Sequence, residues 1–247
     1  MGCLNSVDGL SAWPSTCQTT ARYATSRNSA EQSEPHYENI LLEELLDIHK
    51  YSTKLVLINR NLNDQDMKIL ATYIKINQFL NQLDLTSNEI TCTGVVYLME
   101  AILNFNSTLT EISFSNNQLG DIGVKILALY LKRYNNLSYI DLSSNNVTDV
   151  GLYKIANMLT KNRTLIKLNL NGNQIRDPGI EKLTYEIEKN TTLKQLYLQS
   201  NRITDRSIPF IIKLIQIHIL KLSGINGNLI TQDDIQKIKN SFTINKQ

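Results

Sequence analysis

The fold is decided by residues 137–147, which read LSYIDLSSNNV. In the middle of this stretch, Ile140 and Leu142 alternate with polar residues, which is typical of a short strand with one buried face. Asn145 follows where the chain must turn, and its amide is suited to bonding backbone groups that a turn leaves unpaired. The stretch therefore predicts a strand and a tight turn stabilised by an asparagine.

The same pattern, L-x-x-L-x-L-x-x-N-x-(apolar), occurs five times. Each copy begins with a leucine, at Leu80, Leu109, Leu137, Leu165 and Leu193, so successive starts are 29, 28, 28 and 28 residues apart. After each asparagine, a stripe of apolar residues with helical spacing predicts a helix. One strand and one helix per unit bury their apolar faces only when neighbouring units stack. We predict that one residue from each strand joins a single buried row: Leu83, Ile112, Ile140, Leu168 and Leu196.

An aspartate recurs at the start of the predicted helices. It belongs to an Asp-x-Gly motif at Asp121, Asp149 and Asp177, and Asp64 and Asp205 stand in the same position of their units. We expect each carboxylate to cap its own helix by accepting from the first free amides. One carboxylate per unit is too few for a calcium site, so we expect no metal and no cofactor.

The two ends of the chain depart from the pattern. We predict a disordered tail over residues 1–35, a capping helix over residues 36–50, and a repeat domain with its C-terminal cap over residues 51–247. In the capping helix, we expect Leu41, Leu42, Leu45 and Leu46 to share one buried face. Near the C-terminus, we expect the repeat to lose its register through residues 224–227, before a helix from about residue 231.

The repeats resemble leucine-rich repeats of the ribonuclease-inhibitor type, and the N-x-T-L phrase at Asn106, Asn162 and Asn190 is closest to the repeats of NOD-like receptors. The resemblance implies an α/β leucine-rich-repeat horseshoe, a right-handed solenoid of about seven repeats with strands on the concave face and helices on the convex face. This repeat class also occurs in the Ran GTPase-activating protein and in tropomodulins. It therefore implies a scaffold rather than one activity.

In such a horseshoe, the strand residues that alternate with the buried row form the concave surface. Acidic residues occur in its first half, whereas Lys167 and then Lys221 follow in the second half, so a partner with a basic end and an acidic end would be oriented. Tyr139 and Tyr197 are the best candidate anchors, because tyrosine is enriched among residues that dominate interfaces. The predicted surface consists of Lys54, Val56, Ile58, Gln82, Asp84, Thr86, Glu111, Ser113, Ser115, Tyr139, Asp141, Ser143, Lys167, Asn169, Asn171, Gln195, Tyr197 and Gln199.

These observations predict a monomeric, non-catalytic scaffold for a protein partner. The net charge of +2, from 25 basic and 23 acidic residues, gives no indication of a nucleic-acid partner. Three alternatives stay open. In the first, the partner binds a rim or the helices instead of the concave face. In the second, the protein activates a GTPase through Arg60, which stands in the asparagine position of the first unit. In the third, the chain is a ligand-sensing fragment of a NOD-like receptor family. The chain contains no GxxxxGK[ST] motif, so we do not expect a complete receptor.

The first six residues, MGCLNS, match the signal for N-myristoylation of Gly2, and Cys3 is placed for palmitoylation. One myristoyl chain binds a membrane only weakly and reversibly, so a second acyl chain is needed for stable anchoring. We therefore expect a cytoplasmic protein that acylation holds at the cytoplasmic face of a membrane; the alternative is an ordinary, unmodified start.

Overall fold

The computed structural model describes residues 37–243, apart from residues 189, 218, 220 and 221. The parallel strands of one sheet follow the order of the sequence: β1 (Lys54–Val56), β2 (Gln82–Asp84), β3 (Glu111–Ser113), β4 (Tyr139–Asp141), β5 (Lys167–Asn169) and β6 (Gln195–Tyr197). The helices are α1 (Ile40–Ile48), α2 (Asp64–Ile76), α3 (Cys92–Phe105), α4 (Gly120–Leu131), α5 (Asp149–Leu159), α6 (Asp177–Ile187), α7 (Ile208–Gln216) and α8 (Gln232–Thr243). Short 3₁₀ helices span Asp205–Ser207 and Leu222–Ile225. The predicted α/β solenoid, with strands on its concave face and helices on its convex face, is confirmed.

The middle residues of the strands form one buried row. They pair in register from strand to strand and are at most 2% exposed: Leu55, Leu83, Ile112, Ile140, Leu168 and Leu196. The predicted row is confirmed, and β1 extends it by one residue. Because every strand is three residues long, only one side chain per strand points into the core.

The asparagines that follow the strands form a second buried row, as predicted: Asn88, Asn117, Asn145, Asn173 and Asn201. Asn173 shows the geometry. Its Nδ2 donates to the carbonyls of Leu142 and Leu170 at 2.9 and 3.0 Å, and its Oδ1 accepts from the N–H groups of Asn145 and Val147 at 3.1 and 3.0 Å. Each asparagine therefore joins the turn of its own repeat to that of the preceding repeat.

A third buried row lies before the strands, at the N-x-T-L phrases. The Nδ2 of Asn106 donates to the carbonyl of Asn77 at 3.2 Å, and its Oδ1 accepts from the N–H of Leu109 at 2.8 Å. In the next unit Tyr134 stands in this position, and its hydroxyl donates to the carbonyl of Leu109 at 3.0 Å. Both ends of each strand are thus tied to the preceding repeat.

The aspartates do not cap their own helices, so that expectation was wrong. Asp121 lies inside α4, and its carboxylate accepts from the next repeat: from the N–H and hydroxyl of Thr148 at 2.8 and 2.6 Å, and from the N–H of Gly151 at 2.9 Å. Thr148 in turn is the N-cap of α5. Stacking sets successive helix N-termini side by side, which brings the free amides of one helix within reach of the preceding carboxylate.

This arrangement explains the glycine of the Asp-x-Gly motif. A Cβ atom at Gly151 would lie 2.6 Å from Oδ1 of Asp121 and 2.8 Å from Cγ1 of Val147. At Gly94, a Cβ atom would lie 2.6 Å from Oδ1 of Asp64. At Gly94, Gly151 and Gly179, glycine is therefore required because the carboxylate of the preceding repeat occupies the space of a side chain, whereas a Cβ atom at Gly123 would lie 2.9 Å from Cβ of Leu119.

The N-terminal helix α1 buries fewer leucines than expected. Leu42 and Leu46 are buried against the first repeat and Leu45 is partly buried, but Leu41 is 80% exposed. Adjacent residues of a helix point about 100° apart, so Leu41 and Leu42 do not share a narrow face. Below the helix, buried Asp66 accepts from Nδ2 of Asn39 at 2.7 Å, which ties the chain entering α1 to the first repeat.

The C-terminal unit keeps its register, contrary to expectation. Asn228 continues the asparagine row: its Nδ2 donates to the carbonyls of Leu198 and Ile225, both at 2.8 Å, and its Oδ1 accepts from the N–H of Asn201 at 3.1 Å. The unit is one residue shorter, since Asn201 and Asn228 are 27 positions apart. A 3₁₀ helix replaces the strand, which hid this unit from the sequence pattern.

Candidate partner-binding surface

The predicted concave residues flank the buried row on the exposed side of the sheet. In each strand the first and third residues are exposed or half-buried while the middle residue is buried. The residues two positions beyond each strand continue this surface, because Oγ1 of Thr86 lies 2.9 Å from Oγ of Ser113, and Oγ of Ser115 lies 2.8 Å from Oγ of Ser143. Gly2, Cys3 and Lys221 lie outside the described residues.

The carboxylates of this surface are largely engaged by their neighbours. Oδ1 of Asp84 accepts from the N–H and hydroxyl of Thr86 at 3.0 and 2.6 Å. Asp141 accepts in the same way from Ser143, and its Oδ2 also accepts from the Tyr139 hydroxyl at 2.9 Å and from Nδ2 of Asn169 at 2.8 Å. These two acids therefore organise the surface as well as carrying charge.

A cluster of two tyrosines and one lysine lies across β4, β5 and β6. The Nζ of Lys167 is 4.7 Å from the ring centroid of Tyr139 and 5.6 Å from that of Tyr197. Attraction between the ammonium and each ring face holds the three side chains together. Asp141 and Gln195 accept from the two hydroxyls, so both rings have fixed positions. We call this set the tyrosine–lysine cluster.

The hydroxyl of Tyr139 stays protonated at neutral pH. Burial raises the pKa of Tyr139, and the adjacent Asp141 carboxylate raises this pKa further. A neutral phenol keeps the ring apolar while its hydroxyl donates to Asp141. The cluster therefore presents apolar ring surface around one positive charge.

A cavity of about 290 Å³ adjoins the tyrosine–lysine cluster. Its lining includes the two rings together with the amide side chains of Asn169 and Asn171 and the ammonium groups of Lys167 and Lys194. Within the described part of the chain, no carboxylate forms an ion pair with either lysine. The cavity is thus suited to an acidic group. Lys194 was missed by the sequence analysis because it precedes the strand.

The opposite end of the concave surface is apolar. Val56 and Ile58 on and after β1 are 43% and 44% exposed. The surface therefore runs from apolar side chains at β1, through hydroxyls and engaged carboxylates, to the tyrosine–lysine cluster. Across the described ranges, no group of His, Cys, Asp and Glu side chains is arranged to hold a metal ion. None of the helices there has the length and apolar character needed to cross a membrane.

Comparison with known proteins agrees with this geometry. The family model of the leucine-rich repeat matches residues 77–99, 105–128, 135–156, 161–183 and 189–208. The chain carries leucine-rich repeats. The five matched segments contain the strands β2 to β6 with their asparagine turns, so the leucine-rich repeats and the solenoid coincide.

Two solved structures are similar to this chain. One is described as leiomodin-1 actin-binding site 2, with 13% identity, a TM-score of 0.50, and coverage of 85% of this chain and 98% of that chain. The other is the tropomodulin C-terminal domain of Caenorhabditis elegans, with 11% identity, a TM-score of 0.49, and coverage of 60% and 92%. No curated protein sequence matches the chain. At these identities, the likeness to leiomodin-1 indicates a shared fold and nothing finer.

Proposed function

We propose that this leucine-rich-repeat protein is a non-catalytic scaffold that binds a protein partner on its concave face. The observation that carries the proposal is the tyrosine–lysine cluster, where Lys167 lies between the rings of Tyr139 and Tyr197. Tyrosine is enriched among the residues that dominate the binding energy at the centre of an interface. A protein partner is also in keeping with the leucine-rich-repeat neighbour whose description names actin binding.

The cluster favours an acidic segment of the partner. A carboxylate entering the cavity would meet Lys167 and Lys194, while its neighbouring side chains would contact the two rings. Charge-assisted hydrogen bonds are shorter and stronger than neutral ones, and salt screens the attraction of a solvent-exposed charge such as that of Lys194. Acidic partners should therefore be favoured, with affinity that falls as salt concentration rises.

The test is to capture partners by proximity labelling and measure their dissociation constants for variants. Tyr139→Ala and Tyr197→Ala should each weaken binding by about tenfold or more. Tyr185→Ala is the matched control, because Tyr185 is 58% exposed on α6 and has the Nζ of Lys213 at 5.7 Å from its ring. Wild-type affinity for both concave variants would overturn the proposal, and loss with Tyr185→Ala alone would move the site to the helices.

A second candidate is activation of a GTPase through Arg60. This residue is exposed after β1, and its backbone N–H donates to Oδ1 of Asn88 at 3.1 Å, where the asparagine row begins. An arginine placed at a partner's active site speeds phosphoryl transfer. Single-turnover GTP hydrolysis across small GTPases tests this candidate, and acceleration that disappears with Arg60→Ala would support it over a purely structural scaffold.

We also propose which type of leucine-rich repeat the chain carries and how the protein is located in the cell. The full helix in each unit is in keeping with the ribonuclease-inhibitor type, and the N-x-T-L phrases are in keeping with a ligand-sensing fragment of a NOD-like receptor. We further propose acylation at Gly2 and Cys3, with the protein held at the cytoplasmic face of a membrane. Expression of Gly2→Ala should release the protein from the membrane fraction, and a wild-type protein that is already fully soluble would contradict acylation.

A further inference from the structure

The residue immediately before each strand belongs to a row on one rim of the concave surface. In each unit after the first, the backbone N–H of this residue donates to the carbonyl of the equivalent residue in the preceding unit, at 2.7 or 2.8 Å. We call this set the rim row, and it consists of Thr53, Asn81, Thr110, Ser138, Ile166 and Lys194. Because the backbone contact is the same in every unit, the differences between these side chains do not follow from the fold.

Two hydroxyls of the rim row add a second bond to the backbone contact. Oγ1 of Thr110 donates to the carbonyl of Asn81 at 3.2 Å, and Oγ of Ser138 donates to the carbonyl of Thr110 at 3.1 Å. Ile166 and Lys194 stand in the same position, are both exposed, and have no hydroxyl that could make this bond. A position that gives up a local stabilising interaction of its own repeat is typical of a functional site.

The two exceptions in the rim row adjoin the tyrosine–lysine cluster. Lys194 lines the cavity beside the cluster, and Ile166 immediately precedes Lys167. The carbonyl of Ile166 accepts from the N–H groups of Lys194 and Gln195 at 2.8 and 3.0 Å, and both of these residues line the cavity. The departure from the repeat and the cluster therefore occur at the same end of the sheet.

The side chains of this enlarged surface indicate what binds there. Within the described ranges, neither Lys167 nor Lys194 has a carboxylate partner, so both attract a carboxylate of another molecule. Ile166 is 48% exposed, and covering it is favourable only with an apolar side chain. Neighbouring strands lie about 4.8 Å apart, and alternate side chains on one side of an extended segment lie about 7 Å apart, so one extended segment can reach both features.

We propose that Ile166 and Lys194 enlarge the tyrosine–lysine cluster into a composite site for one extended segment of a partner protein. The segment carries an acidic residue, which enters the cavity, and an apolar residue two positions away, which covers Ile166. Alternate residues are required because they lie on the same side of an extended chain. This inference rests on the proposed function and adds to it the sequence that the concave surface selects.

The first test selects peptides of about twelve residues from a random library displayed on phage, with the full chain as the target. Peptides selected by the wild type should carry an acidic residue with an apolar residue two positions away. Ile166→Thr should keep the preference for an acidic residue and lose the preference for the apolar one. Lys194→Thr should keep the apolar preference and weaken the acidic one.

The same variants separate binding from stability. The dissociation constant of the most enriched wild-type peptide, measured by fluorescence polarisation, should rise by about tenfold in Ile166→Thr and in Lys194→Thr. Both variants should melt at or above the wild-type temperature, because threonine restores the hydroxyl that Thr110 uses at this position. Thr53→Ile and Lys161→Thr are matched controls at exposed positions outside the composite site, and both should bind the peptide as the wild type does.

The outcomes separate this inference from the proposed function. Selected peptides with an acidic preference but no apolar one would overturn the composite site and leave an acidic partner on the concave face. An apolar preference that survives Ile166→Thr would also overturn it. Failure to select any peptide would overturn the extended segment, while the affinities of captured partners for Tyr139→Ala and Tyr197→Ala would still decide the scaffold. A clear fall in melting temperature in either threonine variant would assign that side chain to the fold and overturn its role in binding.

Discussion

The asparagine row and the concave surface use the same side chain in opposite ways. In one repeat, buried Asn173 bonds five backbone groups of two repeats, whereas half-buried Asn169 donates one bond to Asp141. The row keeps asparagine in unit after unit, while the third residue of each strand on the concave surface changes from Val56 to Asp84 to Ser113. Constant positions hold the repeats together, and variable positions are available for recognition. The difference predicts where substitutions cost stability and where they cost binding.

The largest loss of stability is expected for Asn173→Ala. The change removes three bonds to carbonyls and leaves two buried N–H groups unpaired, so it should lower the free energy of unfolding by about 3 kcal/mol. Urea denaturation measures this loss in the free energy of unfolding. Asn157→Ala is the control, because the Asn157 side chain is exposed and bonds only Lys132 in the helical layer, and it should be nearly neutral. Equal losses for the two variants would contradict the comparison.

Gly151→Ala should cost about 2 kcal/mol, because the new methyl group would overlap the Asp121 carboxylate and Val147. A double-mutant cycle sharpens this expectation. Asp121→Ala alone removes the bonds to Thr148 and Gly151. The loss of stability in the double variant should be smaller than the sum of the losses in the two single variants, because both substitutions act on the same contact. Strict additivity would show that the carboxylate does not explain the glycine.

Asp177 should contribute stability that depends on pH. Burial raises its pKa, but hydrogen bonds from Ser207 and Thr204 outweigh this effect and hold the pKa of Asp177 below its ordinary value. A folded-state pKa below the unfolded value stabilises the protein above about pH 4, and this contribution is lost as the pH falls through the folded value. Asp177→Asn should therefore lower stability at pH 7 by less than about 1 kcal/mol. Melting at pH 7 and pH 3 should show the difference from wild type shrinking in acid, and a gap that widens in acid would refute the assignment.

The smallest effect on stability is expected on the concave surface. Lys167→Gln removes a charge on the concave surface and its contacts with two rings. The free energy of unfolding, measured by thermal melting, should change by no more than about 0.5 kcal/mol. Affinity for an acidic partner should fall in the same variant. A large loss of stability would mean that the tyrosine–lysine cluster supports the fold and is not held ready for a partner.

Sequence periodicity was sufficient to predict the fold and the face of the sheet on which the candidate surface lies. The spacing of leucines gave the buried row of Ile140, and alternation along each strand assigned Tyr139, Lys167 and Tyr197 to one face. It did not reveal that Lys167 stacks between the two rings, since these residues are about 28 positions apart and meet only through strand pairing. The strand alternation also did not assign Lys194 to this surface, because Lys194 precedes β6.

The sequence by itself determined which side chains are apolar, how often they recur, and therefore that a strand and a helix alternate in a stacked solenoid. Only the tertiary structure decided which repeat each polar group serves: Asp121 bonds the next helix, Asn228 continues the row, and Leu41 faces outward. The physical reason is the distance along the chain over which each interaction acts. Periodicity reports the environment within one unit, whereas caps, stacked rings and exposed helix faces depend on how neighbouring units lie against one another.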